Sequence, residues 1–321
     1  MKKLTKIALW GAWHVHAPQY LKEAIGAGAT VVGVFDENEA WKNDLAEKFG
    51  VPAFDTAGEL LKSDAEGVIV CTATADHVKV MPAIAAAGKA VFTEKVLALT
   101  EADALAVKAA VEKAGVRFVI SFPDLYAGDV KAIRQILDAG EIGQVNYFRF
   151  RNCHNGSTGR WLPPHFYDLA DCGGGAMIDL GAHGMYLTRA LFGMPEAYRS
   201  SFTHTYRAGE NAFATDAAVE DNAVTVMTFE SGAIAVNETG FVTVDCPKNI
   251  EIGGTRGYIR CMSHKVSKST HDTEHKWVEV SNEEPDPSPL LQFLTGDLLP
   301  GCGIDDAVDL TRMMCGAYQN R

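Results

Sequence analysis

The run Gly173-Gly174-Gly175-Ala176-Met177-Ile178-Asp179-Leu180-Gly181-Ala182-His183 places a carboxylate and an imidazole four residues apart behind three glycines. On an α-helix, positions i and i+4 share one face a turn apart, so both side chains reach toward one reacting group, as a proton-transfer pair requires. The same spacing also serves an ordinary surface ion pair. A second segment, Ala90-Val91-Phe92-Thr93-Glu94-Lys95-Val96, weighs toward chemistry, because an apolar strand-like run ends abruptly in two charges. The carboxyl ends of strands in open α/β sheets are where ligands bind. Lys95 is therefore a candidate catalytic cation, with a solvated surface lysine as the other reading.

The elements that must position these groups fall into two halves. Short apolar runs at 7–10, 30–36, 67–72, 90–95 and 117–122 alternate with helical stretches such as 101–114. Continuous apolar strands alternating with helices predict an α/β domain over 1–122, a Rossmann-type doubly wound parallel sheet covered on both faces. Beyond it, strands are expected at 144–151, 222–230, 233–242, 249–252 and 257–261, with a helix carrying Asp179 and His183 to about 192. Tight turns such as Ser231-Gly232 and Gly253-Gly254 join the later strands and predict an α+β domain over 123–321 with an open, mostly antiparallel sheet. The stretch 263–289 reads as exposed loop and edge strand. A helix at 305–318 closes the chain and is a candidate to pack back on the first domain.

Length and composition bound the partners. A chain of 321 residues, 47% hydrophobic, suggests about two compact domains. Lys plus Arg number 29 against 41 for Asp plus Glu, and the balance of −12 speaks against a nucleic-acid backbone as partner. The apolar run at 7–13 is too short for a signal peptide, and no stretch reaches the ~20 apolar residues that span a bilayer. Seven cysteines without a Cys-x-x-Cys spacing fit a reduced, cytoplasmic protein. Cys172, beside the glycines, reads as a small buried thiol rather than a nucleophile.

The first βα turn reads Gly11-Ala12-Trp13-His14-Val15-His16. A dinucleotide turn has Gly-x-Gly-x-x-Gly so that backbone can approach a pyrophosphate at a helix N-terminus; here only the first glycine is kept. His14 and His16 also invite a metal, but no further His or Asp clusters follow at successive strand ends. The expectation is no metal, with both imidazoles supporting core or backbone. Asp36 ends the second strand, where an acidic residue accepts ribose hydroxyls and favours NAD over NADP; the other reading is a cap for the helix starting near Asn38.

Together, Glu94-Lys95 and the Gly-Gly-Gly…Asp-x-Gly-x-His run resemble the Gfo/Idh/MocA family of nicotinamide-dependent oxidoreductases, and the resemblance covers nearly the whole chain. It implies cofactor contacts from Gly11, Ala12, Trp13, His14, Val15 and Asp36 on the first two strands. Thr72, Thr74 and His77 follow from the next strand end, and Glu94 and Lys95 from the one after. It further implies His183 as acid/base, Asp179 orienting it or holding substrate hydroxyls, and Lys95 hydrogen-bonding the reacting oxygen. Three positions depart from the family pattern: Val96 for its proline, Ala75 for an asparagine, and Tyr186 for the aspartate of His-x-x-Asp.

Between strand and glycines, 152–167 mixes rings and hydrogen-bonding groups. His154, Arg160, Trp161, His165 and Tyr167 suit a polyhydroxylated ligand, while a domain or subunit contact loop is the other reading. The expected activity is hydride transfer between NAD(H) and a secondary alcohol or ketone of a sugar, cyclitol or related polyol, at a site between the two domains. A glycosidase of the same fold that uses bound NAD transiently, and a non-catalytic ligand sensor, are the alternatives. An open sheet face and the family resemblance lead us to expect a homo-oligomer, a dimer or tetramer.

Overall fold

Strands that are apolar on both faces can only lie in the middle of a layered structure. In the computed structural model, which describes residues 2–205 and 219–321, five such strands form a parallel sheet: β1 (Lys6–Trp10), β2 (Thr30–Phe35), β3 (Gly67–Val70), β4 (Ala90–Thr93) and β5 (Phe118–Ile120). Their order is β2-β1-β3-β4-β5, so the winding direction reverses between β1 and β3. The carboxyl ends of those two strands flank the crevice in which such sheets bind ligands. Helices α1 (Ala17–Gly26), α2 (Glu39–Phe49), α3 (Ala57–Lys62), α4 (His77–Ala86) and α5 (Glu101–Ala114) make the connections. Local chemistry fixes their ends. Asn38, Thr56 and Thr100 accept N-terminal amides of α2, α3 and α5, and left-handed Gly50 and Gly115 terminate α2 and α5.

The second half contains α6 (Gly128–Asp138), β6 (Val145–Cys153), α7 (Leu169–Cys172), a π-helical turn at Met177–Gly181 and α8 (Ala182–Phe192). Seven strands follow: β7 (Ala197–Thr203), β8 (Asn222–Thr228), β9 (Ile234–Gly240), β10 (Asn249–Gly254), β11 (Gly257–Met262), β12 (Lys265–Thr270) and β13 (Val278–Val280). With β6 they form one sheet in the order β13-β12-β11-β10-β6-β9-β8-β7. Only β6 and β9 pair in parallel; all other neighbours are antiparallel. The sheet buries one face, carrying Phe148, Phe150, Met227, Ala235 and Ile252. On that face Asn237 Nδ2 donates to the Gly181 carbonyl at 2.7 Å, tying the sheet to the π turn.

Two compact units result, one of Met1–Phe122 with Pro287–Thr311, the other of Pro123–Asp286 with Arg312–Arg321. Helix α9 (Pro289–Thr295) belongs to the first. Leu4 N–H donates to the Leu294 carbonyl at 2.8 Å, the Arg117 guanidinium donates to the carbonyls of Phe293 and Lys2, and Gly67 leaves room for the Phe293 ring. Helix α10 (Ile304–Gln319) carries the chain from the first unit into the last residues of the second.

Three elements differ from the sequence reading. The stretch 263–289 is not loop with an edge strand alone: β12 is paired on both sides, its Lys-Val-Ser-Lys-Ser-Thr sequence being too polar to stand out. Strand β7 goes unread because its exposed and half-exposed positions alternate without a buried face. Helix α9 is only seven residues long, started by Pro289 at its first turn and by the Ser288 cap, and seven apolar-rich residues carry no helical period. No helix among the described residues is long and apolar enough to cross a membrane.

Candidate active site

His183 enters α8 from a π-helical turn, which holds one residue more per turn than an α-helix. Asp179 lies in that turn and His183 in the first turn of α8, so the two are not carried by one unbroken α-helix. Of the three glycines ahead of them, Gly173 at φ +76° ends α7, and the other two answer to close packing. A Cβ on Gly174 would lie 1.9 Å from the Tyr318 hydroxyl, and one on Gly175 would lie 2.0 Å from the Glu220 carbonyl oxygen. Into this space Gly175 and Met177 donate backbone N–H groups to Glu220 Oε1 at 3.0 and 2.9 Å, and the Tyr318 hydroxyl donates to the same oxygen at 2.7 Å. Burial, then the Glu220 charge, push the Tyr318 phenol well above its ordinary value.

One carboxylate on His183 comes from outside the helix. Asp124, in a 3-10 turn at Pro123–Tyr126, places Oδ2 at 2.9 Å from His183 Nδ1, with the Tyr186 hydroxyl at 2.8 Å from the same nitrogen. An ionised carboxylate only accepts, so Nδ1 carries the proton and the basic lone pair is on Nε2. Lys248 Nζ donates to Asp124 Oδ2 at 2.6 Å. Burial opposes ionisation of Asp124, but the His183 and Lys248 charges outweigh it and hold the carboxyl well below the usual carboxylate range. Tyr186, at the departure from the family's aspartate, is buried and braces the ring; its oxygen also accepts the Asp124 N–H at 3.3 Å. The strand-end rule that selects Lys95 could have found Asp124, since Phe122-Pro123-Asp124 closes the apolar run 117–122. Nothing in the sequence marks Lys248.

At the other strand end Glu94 and Lys95 are both buried. Glu94 Oε2 accepts the Lys95 N–H at 3.0 Å, and the Lys95–Val96 peptide is cis. His77, assigned to the cofactor by resemblance, is 1% exposed and faces its Nδ1 to the carbonyls of Val96 and Leu97 at 3.0 and 3.2 Å. Burial lowers its pKa, so a neutral ring braces the segment after Lys95 where the family has proline. Glu94 Oε1 meets His16 Nδ1 at 2.6 Å, His14 Nδ1 at 3.7 Å and the hydroxyl of Tyr20, which reaches Ser121 Oγ at 2.8 Å. Burial works against the charge on Glu94, yet His14 first, then His16 and Lys95, keep it well below the ordinary value.

The nucleotide turn is tight. Gly11 has φ +97°, and a Cβ there would lie 2.4 Å from Thr72 N, so no side chain fits. Asp36 Oδ2 accepts the Ala12 N–H and Oδ1 the Asn38 N–H, both at 2.6 Å, while the Asn38 side chain is the cap of α2. Trp13 is half-buried, His14 buried and Val15 exposed, and His14 N–H donates to the Cys71 carbonyl at 3.0 Å. Thr74 opens a 3-10 turn before α4. Thr72 Oγ1 is buried and has no hydrogen-bond partner among the described residues. A glycine forced by contact, an acidic β2 end and an orphaned hydroxyl at the switch point fit a dinucleotide.

The loop after β6 gathers three of its five candidates. The His154 ring stacks on Phe241 at 5.0 Å and meets Trp161 at 4.6 Å, and Tyr167 approaches Phe241 at 6.4 Å while its hydroxyl bonds Ser157 Oγ at 2.7 Å. Burial lowers the His154 pKa against the opposing charge of Asp179, which ties this cluster to the π turn. Trp161 is 55% exposed, an open apolar face. Arg160 is exposed at φ +55°, and His165 packs on Phe166. The Cys172 thiol donates to the His165 carbonyl at 3.3 Å and is pushed up chiefly by burial, as an inert buried thiol.

Comparison with known proteins gives the same two halves. Residues 6–122 match the oxidoreductase family with an NAD-binding Rossmann fold, and residues 130–260 match the GFO/IDH/MocA C-terminal domain. An uncharacterized oxidoreductase, YrbE, of Bacillus subtilis is 28% identical over 198 residues, 60% of this chain and 54% of that protein. The alignment thus spans about half of that relative. Myo-inositol 2-dehydrogenase of Thermotoga maritima is 27% identical over 72% of this chain and 67% of its own length. Among solved structures, levoglucosan dehydrogenase in complex with NADH and levoglucosan superposes with a TM-score of 0.82 at 18% identity, covering 98% of this chain and 96% of that one. The motifs, the sheet orders and these matches agree, and the chain belongs to the Gfo/Idh/MocA family of oxidoreductases.

Proposed function

We propose that this protein transfers a hydride between NAD(H) and a secondary alcohol or ketone of a sugar, cyclitol or related polyol. The observation that carries the proposal is the Asp124–His183 pair, with the proton fixed on Nδ1 and the basic lone pair on Nε2. Oxidising an alcohol requires a base for the hydroxyl proton and a cation for the developing oxygen charge. His183 Nε2 takes the proton, Asp124 stabilises the imidazolium formed, and Lys95 donates to the reacting oxygen. Asp179 and the ring cluster of His154, Trp161 and Tyr167 hold hydroxyls and C–H faces, with Arg160 and His165 at the edge of the same loop. NAD, when bound, supplies or accepts the hydride. Gly11, Ala12, Trp13, His14 and Val15 form the turn against it, Thr72 and Thr74 line it, and the Asp36 carboxylate disfavours a 2′-phosphate, so NAD is preferred to NADP. The names of the inositol and levoglucosan dehydrogenases among its relatives support the polyol class. We also propose a cytoplasmic homo-oligomer, a dimer or tetramer, with its cysteines reduced.

A screen of inositols, sugars and sugar acids with NAD and NADP, read at the nicotinamide absorbance, tests the activity. On the substrate found, His183→Ala is expected to lower kcat by ~10²–10⁴ with NADH affinity kept, as removal of a positioned acid/base does. Lys95→Ala should also lose turnover. Sugar release without net NADH would refute the dehydrogenase, and near-normal turnover of His183→Ala would remove the base from it.

A further inference from the structure

The turn that lacks two glycines has two imidazoles instead, and both converge on one buried carboxylate. His14 and His16 come from the turn after β1, Glu94 from the end of β4, and one nitrogen or oxygen from each lies within 4.8 Å of the others. We propose that His14, His16 and Glu94 form a binding site for a divalent transition ion of the zinc class.

The donor set and its spacing point to a cation. The His16 backbone N–H lies 3.2 Å from His14 Nδ1, a long contact that a metal bond at the same nitrogen would replace. His14 Nδ1 and Glu94 Oε1 are 3.7 Å apart, with side chains only 7% and 3% exposed. A divalent ion between them would take the place of the protons that link the two imidazoles to the carboxylate. Zinc bonds of about 2.0–2.2 Å to nitrogen and oxygen, arranged tetrahedrally, separate ligand atoms by about 3.4 Å. The His14–Glu94 spacing is already near that value. His16 Nδ1, now 2.6 Å from the same oxygen, needs to withdraw by less than about 1 Å, and its side chain is 42% exposed and able to turn.

The surroundings match a metal site as well. Tyr20 and Ser121 hold Glu94 Oε1 by a chain of hydroxyls, and the Lys95 N–H fixes Oε2, the kind of outer contacts that orient a metal's carboxylate. Two imidazoles and one carboxylate suit zinc, cobalt or nickel better than magnesium or calcium, which prefer all-oxygen sites. Three protein ligands with a half-exposed histidine leave a fourth position open to solvent. The proposal stands independently of the dehydrogenase reading, since it needs neither the nucleotide nor the substrate.

The test is a titration of the full chain, first dialysed against a chelator, with cobalt(II) chloride, reading the visible absorption that a low-symmetry cobalt site produces. One cobalt per chain is expected, displaced by zinc. His16→Ala, at a half-exposed position, should weaken binding at least tenfold while far-UV circular dichroism stays unchanged, and Tyr20→Phe should weaken it by about 10–100-fold. The exposed His271 and His275, whose rings lie 4.7 Å apart, supply the control. A doubly substituted H271A/H275A protein should bind as the wild type does. Absence of a visible band in the wild type, an unchanged band in His16→Ala, or loss of the band only in H271A/H275A would each overturn the site.

Discussion

Replacing Asp124 with asparagine keeps the size of the side chain and removes its charge. In the native structure one oxygen, Oδ2, takes both His183 Nδ1 at 2.9 Å and Lys248 Nζ at 2.6 Å. An amide can turn its NH2 toward Nδ1, which then must accept, moving the imidazole proton to Nε2 and taking the lone pair from the working side. The imidazolium formed on proton transfer also loses its counter-charge. Where a buried aspartate orients a catalytic histidine, the same change costs up to about 10⁴ in kcat, so a fall of ~10²–10⁴ is expected here. Leaving Lys248 and His183 without their acceptor has a structural cost too. Breaking a fully buried pair costs about 3–5 kcal/mol, and because these side chains are 15–26% exposed the figure is discounted to about 2–3 kcal/mol. The assay pairs steady-state kinetics with urea unfolding, and NADH titration by protein fluorescence serves as control. Turnover above a tenth of wild type, with the fold and NADH affinity intact, would refute the role of Asp124.

Because the Asp124 carboxyl is held below its unfolded value, its contribution to stability is present above about pH 4 and fades as pH falls through the folded value. The unfolding midpoints of wild type and Asp124→Asn should therefore converge only in strong acid; a gap that vanishes already near pH 6 would contradict the assignment. Gly175→Ala puts a Cβ 2.0 Å from the Glu220 carbonyl oxygen, a backbone atom that cannot swing away, and should destabilise the protein by about 1–3 kcal/mol in urea unfolding, whereas Gly140→Ala, with open space at its Cβ, should show only the lesser cost of a positive φ. Asp36→Asn should narrow the preference for NADH over NADPH in fluorescence titrations, and a wild type that binds NADPH as tightly would remove Asp36 from cofactor selection.

The sequence by itself determined much of the architecture, for local reasons. Apolar runs such as 67–70 and 90–93 are too short and too uniform for exposed strands, and the capped alanine-rich stretch from Thr100 to Gly115 reads directly as α5. Charges just past β4 selected Glu94 and Lys95 because a strand end is visible in the chain as a change of composition. Tertiary structure decided what these groups touch. Asp124 is 59 residues from His183, Lys248 is 124 from Asp124, and Glu220 is 45 from the glycine that it holds. Periodicity reports only neighbours within a few residues, and it assumed an unbroken helix where Asp179 lies in a π turn and α8 begins only at Ala182. The same limit hid β12, whose polar sequence becomes a strand only because β11 and β13 offer it hydrogen bonds on both sides. It also hid the meeting of His14 and His16 with Glu94, 78 residues beyond His16, since two imidazoles in a turn show no purpose until the fold brings a buried carboxylate to them.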